Sequence, residues 1–80
     1  MECEFGRHTK AYKEGIKFIV DEEDYDKYVK NFSFKLTNYG DVTYTRGNNI
    51  YLCGSILNRY GKNVIYINGN KLDLRKCNLR

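Results

Sequence analysis

Eighty residues make one small domain, with no material for a second core or a deep cavity. A hydrophobic fraction of 41% with 15% aromatics excludes a disordered, solvating segment. The net charge of +4 is unevenly placed: residues 1–40 carry seven Lys/Arg against eight Asp/Glu, and residues 41–80 carry seven against two, which points to an anionic partner for the C-terminal half, nucleic acid first.

Residues 1–13 show no sustained period and read as a loose arm or an edge strand, so the expected organisation is an N-terminal arm, 1–14, before a single domain, 15–80. The run from Gly15 to Val20 is rich in β-branched and aromatic residues and reads as a strand. Asp21 then suits a helix N-cap, with Glu22, Glu23 and Asp24 in the first turn, where the helix dipole favours carboxylates. Val20 and Tyr25 stand at the positions of a hydrophobic staple, and the helix is expected to end near Asn31.

From Phe32 the hydrophobic period changes to two. Phe32, Phe34 and Leu36 alternate with polar residues, Asn38–Asp41 is a turn, and Val42, Tyr44 and Arg46 supply the antiparallel partner. Gly47-Asn48-Asn49 reads as a second turn, Ile50–Leu52 as a third strand, and Ser55–Leu57 as a short helical turn. Val64–Ile67 reads as a strand, Asn68-Gly69-Asn70 as a turn, and Asp73 as the cap of a final helix from Leu74 to Leu79. The expected fold is α+β: a small three-stranded antiparallel sheet with one helix, followed by a strand, a turn and a helix.

Cys3, Cys53 and Cys77 form no C-x-x-C pair, and with His8 their spacings match no zinc-ligand pattern, so neither metal nor cofactor is expected. No apolar run approaches the roughly 20 residues that span a bilayer, and there is no signal-peptide core. The expected location is the cytoplasm of a bacterial host cell, with reduced thiols and no membrane partner.

Residues 64–80 read V-I-Y-I-N-G-N-K-L-D-L-R-K-C-N-L-R. This resembles the core motif of phage-type HNH homing endonucleases, V-D-H-I-N-G-N-x-L-D-N-R-x-x-N-L-R, with Ile67-Asn68-Gly69-Asn70, Leu72-Asp73, Arg75 and Asn78-Leu79-Arg80 in register. Upstream, Val20–Tyr25 and the following hairpin are similar to the region before many such cores, itself similar to the Apetala-type DNA-binding domain, which lays a three-stranded sheet into the major groove. The resemblance implies a degenerate ββα-type nuclease domain over about residues 15–80.

The departures fall on the chemistry. Where the family has its metal-binding aspartate and general-base histidine, this chain has Ile65 and Tyr66. Isoleucine offers no oxygen to Mg²⁺, and tyrosine, with a reference pKa of about 10, is a poor base at neutral pH. Leu74 replaces an asparagine, and Cys53 aligns near a histidine that often follows the third strand. The resemblance therefore implies a catalytically inactive domain, not an enzyme.

Nucleic-acid binding is then expected through Arg46, Arg59, Lys62, Lys71, Arg75, Lys76 and Arg80, with Tyr44 and Arg46 in the hairpin reaching bases or sugars. Tyr39, Tyr44, Tyr51 and Tyr66 are candidates for stacking on bases, and at least two of them are expected to pack into the core instead. The alternative is a small phage-encoded inhibitor of a host defence nuclease or nuclease–RNA complex, of the anti-CRISPR type, acting by protein–protein binding with tyrosine anchors. A third reading is a structural or dimerising module in which Ile65, Tyr66 and Leu74 fill a vacated metal site. On a plainer view, Arg75, Lys76 and Arg80 are the solvated face of the short last helix.

Overall fold

The computed structural model describes residues 1–58 and 64–80. The fold is a small α+β arrangement with two antiparallel sheets. The larger sheet is the expected meander: β3 (Phe34–Leu36), β4 (Val42–Arg46) and β5 (Asn48–Tyr51) in the order β3-β4-β5. Phe34 pairs with Tyr44 and Tyr44 with Ile50, so the apolar positions share one face, as period-two alternation requires. The second turn is tighter than the sequence suggests. Arg46 pairs with Asn48 across Gly47 alone, whose φ of +82° suits glycine, and both asparagines join β5.

The smaller sheet corrects the reading of residues 1–14 as an arm outside the domain. There β1 (Glu2–Glu4) pairs antiparallel with β2 (Lys17–Ile19), and α1 (Lys10–Lys13) connects them, with the Thr9 hydroxyl accepting from the Tyr12 amide at its start. Cys3, Phe5 and Ala11 are buried in the core. Of the two alternatives for this segment, the edge strand is the one present. The amide of Gly6 also donates to the Phe34 carbonyl at 2.8 Å, so the chain leaving β1 joins the edge of β3 and ties the two sheets together.

An aromatic series runs through this junction. Ring centroids are 5.0 Å apart for Phe5–Phe18, 5.4 Å for Phe18–Phe34, 5.2 Å for Phe34–Tyr44 and 4.8 Å for Phe32–Tyr44, all tilted. Such tilted pairs set the positive ring edge toward a negative face, which adds to the burial of apolar area. Val20, Leu52 and Leu74 complete the centre of the core.

The helix α2 (Glu22–Asp24) begins where expected but continues as a π-helical turn, Tyr25–Val29, closed by the Lys30 amide on the Tyr25 carbonyl at 3.0 Å. Asp21 occupies the N-cap position without a side-chain capping bond. Its Oδ2 instead accepts from the backbone amide of Lys76. The short helix α3 (Leu52–Leu57) starts at the end of β5 and stops at Asn58, which has a φ of +54°. Asparagine tolerates this left-handed conformation better than most residues.

The C-terminal segment departs most from expectation. Residues 65–67 form a narrow ribbon with residues 78–80 rather than a full strand: Ile65 and Arg80 exchange two backbone bonds, and the Ile67 amide donates to the Asn78 carbonyl. The expected helix from Leu74 to Leu79 is only a 3₁₀ turn, Lys76–Asn78. Residues 72–74 lie parallel along β2, with the Ile19 amide donating to the Leu72 carbonyl and the Leu74 amide to the Ile19 carbonyl, both at 2.8 Å. The segment is held as a strap on both sides, which leaves no length for a helix.

Candidate functional site

The polar residues that carry the nuclease resemblance are bound to one another. Asp73, almost fully buried, accepts from the Asn68 side chain at Oδ2, and from Arg75 Nε at 2.8 Å and Nη2 at 2.7 Å. Asn68 accepts the Asn70 amide, and Asn70 the Leu72 amide, through their side-chain oxygens. Asn78 closes the network from the far side: its Oδ1 accepts the Asn68 amide and its Nδ2 donates to the Asp73 carbonyl. Gly69, at φ +75°, makes the turn between them. This is a lock for an irregular segment whose backbone groups would otherwise lack partners. The Arg75 guanidinium holds the Asp73 carboxyl down at about 2, so the carboxylate stays charged throughout the neutral range. That burial, desolvation acting alone, pulls the other way and loses.

At the four positions where the sequence departs from that motif stand Cys53, Ile65, Tyr66 and Leu74. Leu74 is fully buried and packs into the core. Ile65 is 63% exposed, an aliphatic side chain facing solvent. Tyr66 and Cys53 come together, a half-buried tyrosine hydroxyl beside a buried thiol. Burial pushes the Tyr66 hydroxyl far above its ordinary value, the Cys53 thiol beside it and the nearby Asp41 carboxylate adding to the effect. Burial raises the thiol as well. A tyrosine so held is a donor at neutral pH and has no capacity as a base. Among the described residues, no group of three or more His, Cys, Asp or Glu side chains is placed to hold a metal ion.

The structure redistributes the expected basic surface. Arg75 is committed to Asp73. Lys76 reaches across to α2, where it pairs with Glu23 and lies 3.3 Å from the buried Asp24 carboxylate. Lys71 pairs with Asp41 at 3.5 Å and donates to the Tyr39 carbonyl, fastening the strap to the β3–β4 turn. Part of the charge asymmetry read from the sequence is thus internal: the acidic start of α2 receives the C-terminal segment. Sequence reading takes the acids as helix-start residues and the lysine as surface, because 53 residues separate Lys76 from Glu23.

Tyr44 is also corrected. It is buried in the aromatic series, with its hydroxyl 2.9 Å from Ser55 Oγ, and has no face to offer a base. Tyr51 and Tyr66 are partly buried against the core, whereas Tyr39 is 84% exposed. Arg46 and Arg80 are exposed. Arg59 and Lys62 lie outside the described residues. Among the described residues no helix is long and apolar enough to cross a membrane. No protein-family model, curated protein or solved structure matches the chain.

Proposed function

We propose that this protein is a catalytically inactive, HNH-like module that binds nucleic acid in the cytoplasm of a bacterial cell. The observation that carries the inactive half of this reading is the lock around Asp73. The polar side chains of the motif are spent on one another, and the adjoining positions present an exposed aliphatic chain and a hydroxyl held in its protonated form. Hydrolysis of a phosphodiester needs a placed base and, in most such sites, a metal-activated water. The binding half is supported by the net charge of +4 and by exposed cations that carry no ion pair, Arg46 among them. Backbone recognition by such cations is electrostatic and falls steeply with salt.

The test is incubation of the purified protein with labelled duplex and single-stranded oligonucleotides, with Mg²⁺ present and products resolved on a gel. Retarded, intact strands are the expected result. Cleaved strands overturn the inactive assignment, and absence of any retardation at moderate salt overturns the binding assignment.

A second reading, a phage-encoded inhibitor of a host nuclease of the anti-CRISPR type, draws support from one observation: Ile65, Ile67 and Tyr39 are each more than half exposed. Exposed aliphatic and aromatic side chains suit a protein partner better than a phosphate backbone. Co-purification with such a nuclease, resistant to high salt and to removal of nucleic acid, would favour this reading over the first.

A further inference from the structure

Three of the cations without carboxylate partners line one stretch of surface that the C-terminal motif does not reach, whereas Lys13, Lys17, Lys27 and Arg80, equally without an ion pair among the described residues, lie outside that lining. Among the described residues, ion pairs engage Lys10, Lys71, Arg75 and Lys76, and none engages Arg7, Lys30 or Lys35. Two adjoining grooves share Ser33 and Phe34 in their walls. One, of about 380 Å³, runs between residues 4–7 and 30–34 and carries Arg7 and Lys30. The other, of about 270 Å³, carries His8, Lys35 and Thr45. Glu4, at the Arg7–Lys30 end, is the carboxylate among these lining residues.

The fold explains the gathering. The bond from the Gly6 amide to the Phe34 carbonyl lays residues 5–7 along the edge of β3, so Arg7 and His8 come beside Ser33. The contact is close: a Cβ built on Gly6 would fall 2.3 Å from Ser33 Oγ and 3.1 Å from His8 Cε1. The register of β3 with β4 sets Ser33 opposite Thr45, and Thr45 Oγ1 donates to Asn49 Oδ1 on β5. The result is a row of exposed hydrogen-bonding side chains crossing the sheet, with Lys35 beside it.

We infer that this double groove is a binding surface for the sugar-phosphate backbone of a nucleic acid, with Arg7, Lys30 and Lys35 as its phosphate contacts and Ser33 as a neutral donor. The cations come from separate segments and are strung along an open cleft rather than converging on one point. That arrangement suits a polyanion with repeated charges better than a single small anion. The inference rests on the proposed binding function and moves its surface from the C-terminal half, where the sequence places it, to the junction of the two sheets.

The experiment compares the whole protein with two triple variants of equal charge change, Arg7→Glu/Lys30→Glu/Lys35→Glu in the groove and Lys13→Glu/Lys17→Glu/Lys27→Glu outside its lining. Binding of fluorescein-labelled single-stranded and duplex oligonucleotides is measured across a salt series, and circular dichroism and thermal melting confirm that each variant folds. The groove variant should lose at least about tenfold more affinity than the control, and the slope of log affinity against log salt should fall by about 3 on a duplex or about 2 on a single strand. Equal losses in the two variants, or a groove variant that binds like the wild type, overturn the inference while leaving nucleic-acid binding itself intact. A wild-type protein that binds neither oligonucleotide overturns both, and the two failures are thereby distinct.

Discussion

Arg75 closes a two-pronged pair on the carboxylate of Asp73, its Nε 2.8 Å from Oδ1 and its Nη2 2.7 Å from Oδ2. Two parallel bonds of this kind fix orientation as well as charge. Because Asp73 also accepts from Asn68, and its carbonyl from Asn78, a single carboxylate sets the path of the strap from residue 68 to residue 78.

Acid should weaken the fold through this group. The Asp73 carboxyl sits at about 2 in the folded chain against a reference of 3.8. A lowered folded-state value means that the stabilisation is complete above the unfolded value and is lost as pH falls from about 4 toward 2. Urea midpoints measured from about pH 5 downward should therefore drop over that interval in the wild type, and Asp73→Asn should show a lower midpoint near neutrality with a shallower fall in acid.

Lys76 and Asp24 form a second tie between the strap and α2. The Asp24 carboxylate is 1% exposed and its oxygens have no hydrogen-bond partner, so the ammonium 3.3 Å away is its counter-charge. Removing one member of such a pair leaves a buried charge uncompensated, whereas removing both is often nearly neutral. Lys76→Met should lower the urea midpoint, and Lys76→Met/Asp24→Asn should recover most of the loss. The exposed Glu23 pairing should contribute little, so Glu23→Gln should fall within the range of ordinary surface changes.

Leu74 tests how far the C-terminal segment belongs to the core. It is fully buried beside Phe18, Val20 and Leu52 in the same cluster. Leu74→Ala should cost about 2–5 kcal/mol in denaturant unfolding with the slope unchanged. Leu74→Asn should cost at least as much, since the amide would be buried without partners.

Gly6 tests the junction of the sheets. An added methyl would fall 2.3 Å from Ser33 Oγ and 3.1 Å from His8 Cε1, so both side chains must shift to admit it. Gly6→Ala should therefore be destabilising, and adding Ser33→Ala, which removes the oxygen it meets, should restore most of the stability.

Sequence and structure agree where a local pattern is sufficient. The alternation from Phe32 to Arg46 carries the meander, because a strand with one buried face has no other register. The start of the helix after Asp21 is equally legible, although its carboxylate serves the Lys76 amide instead of the helix. Residues 1–14 are left between a loose arm and an edge strand, and their helix goes unread, because their elements are three and four residues long. The only signal is the alternation Glu2, Cys3, Glu4, Phe5, with the two apolar members buried. The last segment misleads for a different reason. Its turn residues are recognised as such, but Asp73 caps no helix: it holds Arg75 and Asn68, and the path of the segment is set by tertiary contact with β2, α2 and the β3–β4 turn. Those same long-range pairs take Lys71, Arg75 and Lys76 out of the expected binding surface, and no spacing rule could foresee it.

The most direct test of the account is an amide ¹H–¹⁵N titration of the protein with a short oligonucleotide at moderate salt. Shift changes should concentrate on residues 6–8, 30–35 and 45–46, while Asn68, Asp73 and Asn78 stay in place. Shifts centred on residues 65–80, or none at saturating oligonucleotide, would contradict a binding surface at the junction of the sheets and return the protein-partner reading to first place.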